Sequence, residues 1–194
     1  KKNNLYQEGK PKIAIVSGIH DPFSGNKAHI DSIIVSLQKS GLNVYPFSSF
    51  NKRVEFLEQI NPDAVIYFPH GRLQMTNPEQ TVDWLKEKNI PIFTPISVIQ
   101  LEEDWLKDPM GMFGGFMGQT IVMPELDGAV HPYVLIAQEK RNDGMVVFKT
   151  IPDRLKKFTQ IVNNFINLKK KIRTRKLPFI TSKDKGKTLS LHRD

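Results

Sequence analysis

Residues 12–17 read KIAIVS, 43–47 NVYPF, 64–68 AVIYF and 91–94 PIFT. Each is a short, nearly continuous apolar run, the pattern of a strand covered on both faces. The segments between them follow another period. Over 27–40, Ile30, Ile33, Ile34 and Leu37 recur on one helical face, and Gly41 supplies the stop. Over 52–60 the expected inward set is Phe56, Leu57 and Ile60, with Asn61-Pro62 as the break. Over 78–88, Asn77 stands at the N-cap and Pro78 at the first helical position. Residues 97–106 read as a fourth helix.

Strand alternating with helix through short connections predicts an α/β fold. The expected form is an open, mostly parallel sheet with helices on both faces, flavodoxin- or Rossmann-like. The pattern then changes. Residues 109–118, PMGMFGGFMG, read as a Gly/Met loop, and 119–123 as a fifth strand. Residues 131–137 and 145–149 read as a short β-hairpin turning at Asn142-Asp143-Gly144. A long C-terminal helix over 152–168 uses Leu155, Phe158, Val162, Phe165 and Ile166. Residues 1–168 are therefore read as one α/β domain and 169–194 as a basic tail or linker.

Charge supports that division. The chain has 194 residues and a formal net charge of +8. Residues 169–194 hold ten basic and two acidic side chains, which accounts for the whole excess and leaves 1–168 neutral. Polyanion binding would reside in the tail alone, so nucleic acid is not the expected partner. There is no cysteine, which excludes disulfides, thiolate metal sites and cysteine nucleophiles. That composition fits a reducing compartment, and a cytoplasmic location is expected. No apolar run approaches the ~20 residues of a membrane span. The opening Lys1-Lys2-Asn3-Asn4 is read as the start of a piece cut from a longer chain.

In open α/β sheets, ligands bind beyond the carboxyl ends of the strands. The first strand is followed by His20, Asp21 and Asn26, the third by His70-Gly71-Arg72, and the expected fifth by Pro124-Glu125-Leu126-Asp127-Gly128. Each has a bland alternative. A lone histidine after a strand is more often a loop hydrogen-bonder than a ligand, His29 is expected on the surface of the first helix, and the Asp-Gly pair makes an ordinary turn. If 125–127 is extended, the Glu125 and Asp127 carboxylates share a face, where they can bind a cation or share a proton. Met112, Phe113 and Phe116 give the Gly/Met loop a soft apolar surface, either packed on its own core or closing over a flat hydrophobic ligand. The chain has no G-x-G-x-x-G, and Gly186-Lys187-Thr188 lacks the leading glycine and preceding strand of a P-loop.

The stretches HGRLQMTNPEQTVDWLKEKNIPIFTPISV and DPMGMFGGFMGQTIVMPELDGAVHPYVL resemble the large subunit of cobaltochelatase, CobN, and the H subunit of magnesium chelatase. The segment IHDPFSGNKAHIDSII is similar to the same family. The resemblance covers about residues 12–140, with PELDG and the Gly/Met segment its most specific parts. It implies a domain of a long tetrapyrrole-binding subunit that inserts cobalt or magnesium, with separate AAA+ subunits hydrolysing ATP and no nucleotide bound by this chain. Relatives associated with haem use leave metal removal open. Carried over, the resemblance implies Glu125 as metal ligand or base, Asp127 as its partner and His70 as transient ligand or proton acceptor. Arg72 would pair with a tetrapyrrole carboxylate, and His20, Asn26, Met112, Phe113 and Phe116 would line the substrate. Two rival classes are a non-catalytic tetrapyrrole- or partner-binding module and a nucleic-acid-associated α/β protein.

Overall fold

A computed structural model describes residues 6–17, 26–129 and 131–174, with side chains as far as Leu168. The first half follows the expected alternation: β1 (Lys12–Ser17), α1 (Ala28–Lys39), β2 (Asn43–Ser48), α2 (Arg53–Ile60), β3 (Ala64–Tyr67), α3 (Pro78–Lys88) and β4 (Ile92–Leu101). Then come α4 (Glu102–Lys107), α5 (Gly114–Met117), a π-helical turn (Gly118–Val122), α6 (Met123–Glu125), β5 (Pro132–Lys140), β6 (Val146–Thr150) and α7 (Pro152–Thr174). Two of the helix ends are built as read. Gly41, at φ +84°, closes α1, with Leu42 N–H donating back to Leu37 C=O. The Asn77 side chain accepts from Gln80 N–H at the start of α3.

The strands form one sheet in the order β2-β1-β3-β4-β5-β6. The first five are parallel and β6 returns antiparallel to β5. This is the doubly wound α/β fold expected, with the order reversing at β1. Alternate strand residues feed two cores. Ile13, Ile15, Ile66 and Phe93 pack with Ile33 and Leu37 of α1 and Phe158 and Val162 of α7. Ala14, Val16, Val65 and Tyr67 pack with Val54 and Leu57 of α2 and Trp84 and Leu85 of α3.

The register decides where a site can lie. Val16 pairs with Tyr67 and Ile66 with Phe93, whereas the next residue of β4, Thr94, pairs with Pro132, the first of β5. So β5 begins level with the ends of β1 and β3, and the far half of β4 runs on with it past that edge. This extension has its own apolar cluster of Ile96, Val98, Ala137, Ile151 and Phe116. At its far side β6 returns to α1, where Phe148 N–H donates to Asn26 Oδ1 at 3.3 Å.

Several expectations are corrected. Residues 119–123 are helical, not a strand, and the Gly/Met segment is helical from Gly114 onward. A short β-branched run such as TIV does not discriminate helix from strand by period alone. Residues 97–101 extend β4 because β5 pairs with them, Leu101 opposite Gln138, and the helix starts only at Glu102. In α2 the buried stripe is Arg53, Val54 and Leu57, while Phe56 is exposed. His29 is buried, its ring 5.9 Å from that of Phe148. Helix α7 continues past residue 168 to Thr174. Among the described residues no helix is long and apolar enough to cross a membrane.

Candidate functional site

The carboxyl end of β3 delivers the His70-Gly71-Arg72 turn. Tyr67, the last residue of β3, buries its ring in the second core and leaves its hydroxyl beneath the turn. That oxygen accepts from His70 N–H at 3.2 Å and donates to Arg72 C=O at 3.0 Å, with Gly71 C=O at 3.3 Å. Gly71 sits at φ +93°, a conformation that favours glycine. Burial pushes the Tyr67 pKa above its ordinary 10.0, against the opposing pull of the His70 N–H and the Arg53 guanidinium. The hydroxyl therefore remains a donor at neutral pH.

Asp127 grips the same turn from the side. Its Oδ1 accepts from Arg72 Nε at 2.7 Å, with Arg72 Nη2 in ion-pair contact at 2.6 Å, and its Oδ2 accepts from Leu73 N–H at 2.6 Å. Its side chain is only 2% exposed. A carboxylate so removed from water is tolerated because both oxygens carry strong hydrogen bonds and a matching charge stands against it. Leu73 C=O in turn accepts from Arg53 Nη1 at 2.6 Å. One peptide segment is thus held at its N–H by a carboxylate and at its C=O by a guanidinium. Arg53 is anchored by Nε to Ser49 C=O at 2.6 Å and lies 5.3 Å from the Tyr67 ring.

The third tie comes from the helical segment 114–125. Pro124 has no N–H, so neither an α nor a π pattern can complete its bond to Thr120 or Gln119 C=O. The Gln119 carbonyl is taken instead by Gly71 N–H, at 2.9 Å. The interruption of the helix is therefore satisfied by the turn after β3, and the HGR and PELDG stretches fold as one unit.

The candidate residues divide between outward and inward. His70 and Glu125 expose their side chains, each two residues from the Arg72–Asp127 ion pair. The extended 125–127 stretch with both carboxylates on one face is not found. Glu125 ends α6, and a turn with Asp127 N–H on Pro124 C=O and Gly128 N–H on Glu125 C=O sends Asp127 inward. Phe113 is 67% exposed and stacks on Phe116, 5.7 Å away, while Phe116 is buried in the third cluster and Met112 packs against it. Met110, Met117, Val122, Met123 and Leu126 are also exposed. Asn26 is engaged by β6 rather than by the turn. His20 and the rest of 18–25, and the chain beyond Thr174, lie outside the described residues. Among the described residues no three His, Asp or Glu side chains gather as a metal-ligand set.

Sequence reasoning passed over Arg53, Tyr67 and the Gln119 carbonyl. A signal existed for Tyr67, since a tyrosine ending a fully apolar strand places a polar tip where it needs a partner. Arg53 gave none, because a basic residue opening a helix reads as solvated.

A sequence profile of the CobN/Magnesium Chelatase family matches residues 1–188. An uncharacterised protein of Methanocaldococcus jannaschii is 30% identical over 175 residues, 78% of this chain and 14% of that protein. A second uncharacterised protein of the same organism is 32% identical over 94 residues, 46% of this chain and 8% of that protein. The solved catalytic subunit of cobaltochelatase from Mycobacterium tuberculosis superposes with a TM-score of 0.62 at 17% identity, covering 77% of this chain and 14% of that one. The last likeness speaks to fold; the profile, spanning nearly the whole sequence, speaks to descent. The chain spans only 8% to 14% of the length of these proteins, and it belongs to the CobN/Magnesium Chelatase family.

Proposed function

We propose that this chain is a domain of a tetrapyrrole metal-chelatase large subunit that contacts a porphyrin or corrin ring and takes part in inserting cobalt or magnesium. ATP would be hydrolysed by AAA+ partner subunits, not by this chain. The observation that carries the reading is the Arg72–Asp127 ion pair. It joins the HGR and PELDG stretches, and the same turn is bonded through Gly71 N–H to Gln119 of the helical segment whose Phe113, Met117 and Met123 neighbours are exposed. Insertion requires that the ion shed water and that the ring lose two pyrrole protons. An imidazole and a carboxylate serve both needs, as metal ligands and as bases. His70 and Glu125 take those roles. Arg72, already matched by Asp127, braces the turn, and a substrate carboxylate would have to share it. Phe113, with Met110 and Met117, supplies the face against the macrocycle.

Two measurements test this. Soret titration of the chain with a metal-free porphyrin should give saturable binding that weakens about tenfold in Phe113→Ser, the effect of one lost ring contact. In the complete large subunit with its ATPase partners, His70→Ala and Glu125→Gln should lower the insertion rate while leaving porphyrin affinity within about twofold. Full insertion activity in both variants would reduce the domain to a docking module. Absence of porphyrin binding to the chain and to the complete subunit would end the reading.

A further inference from the structure

We propose that Tyr67 is the positioning residue of this site: its hydroxyl is the hub about which residues 70–72 turn, and it sets where the His70 imidazole stands. A tight turn is usually closed by a backbone C=O to N–H bond between its own residues. Among the described residues no such bond closes this one; its backbone–backbone bond goes outward, from Gly71 N–H to Gln119 C=O. The closure runs through the tyrosine oxygen, which takes the N–H of His70 and gives its proton to the C=O of Arg72. A hydroxyl can be such a hub because it accepts and donates at once.

The hub is rigid for reasons of packing. The Tyr67 ring is 1% exposed and sits in a core with Ala14, Val16 and Val65. Its oxygen also lies 3.4 Å from Arg53 Nη1, and the guanidinium lies against the ring. Phenylalanine would fill the same volume, so the strand needs only the ring. The oxygen is what the turn needs. Asp127 accepts from Leu73 N–H, the other end of the Arg72–Leu73 peptide whose C=O the hydroxyl holds, so the two grips share that peptide, whereas His70 N–H is bonded to the hydroxyl and reports on the hub by itself.

The importance of His70 rests on the function proposed above; the hub itself does not. The experiment is Tyr67→Phe in this chain, with amide hydrogen exchange read residue by residue, and titration with Co2+ and with a metal-free porphyrin. The hub predicts exchange at His70 N–H faster by roughly tenfold, with a smaller change at Leu73 N–H, which keeps its Asp127 acceptor. It also predicts a several-fold weaker Co2+ affinity, with porphyrin affinity within about twofold. Unchanged exchange at His70 overturns the proposal. Faster exchange with unchanged Co2+ affinity upholds the hub and removes His70 from the site, so the two claims fail separately. Arg53→Lys gives a second arm, since it keeps the hydroxyl and alters the grip on Leu73 C=O. It should loosen Leu73 and leave His70 within about twofold; if it loosens His70 as Tyr67→Phe does, the guanidinium is the hub and the proposal is wrong.

Discussion

The turn at 70–73 and the segment at 110–125 meet through one hydrogen bond, Gly71 N–H to Gln119 C=O, yet they are built in opposite ways. The turn is held by polar groups with few alternatives: the Tyr67 hydroxyl below, the Asp127 carboxylate at the side and the Arg53 guanidinium behind. The segment is held by apolar contact at Phe116 and Met112, and it turns Met110, Phe113, Met117 and Met123 outward. Directional bonds fix a position; thioethers and a ring on a glycine-containing helix adapt to a shape. The function proposed above, an imidazole presented beside a broad flat ligand, would use one of each.

The strongest way to break this contrast is at Asp127. Asp127→Ala leaves the Arg72 guanidinium and the Leu73 N–H without their buried partner. Removing one member of such a pair costs about 3–5 kcal/mol, or roughly 6–20 °C in Tm for a domain of this size. Thermal unfolding followed by circular dichroism measures it, and a drop of under about 1 kcal/mol would mean that the turn is not held as described. Next comes Gly71→Ala. The backbone at φ +93° disfavours any Cβ, and the new carbon would lie 3.3 Å from Met75 Sδ, a side-chain end that can move aside. The expected loss is about 1–2 kcal/mol from the backbone term, measured by urea denaturation.

The soft segment should respond with the opposite sign. Gly118 has helical angles, and a Cβ added there meets nothing within 4 Å. Gly118→Ala should therefore stabilise the domain by about 0.5–1 kcal/mol, again by urea denaturation. The smallest effect appears only in alkali. Because folding raises the Tyr67 pKa, the unfolded chain loses that proton near 10.0 while the folded chain keeps it to higher pH. The contribution of this group is complete below about pH 10 and disappears as pH rises through the folded value. Stability from pH 9 to 11 should fall more steeply in the wild type than in Tyr67→Phe, in which there is nothing at that position to ionise.

The local chemistry of the chain was enough to establish the alternation of β1 through β4, the stops at Gly41 and Asn61, the cap at Asn77, and the placement of His70 and Arg72 just past a strand. Apolar runs, helical period and turn residues are properties of neighbours in sequence, so they can be read without a partner. The 119–123 run could not be read that way. Its β-branched residues suit a strand, and only Phe116 packing under the extended β4–β5 pair, with Gly71 taking the Gln119 carbonyl, makes the helix the better solution. The end of β4 was hidden for the same reason, because residues 97–101 become a strand when β5 lies beside them. The inward turn of Asp127 was likewise decided at a distance of 55 residues, by an arginine whose charge it matches. PELDG spells two carboxylates with equal claim to the surface. Only the tertiary structure separates them, because burying a charge is tolerated just where an opposite charge and a free N–H are waiting, and those groups come from another part of the chain.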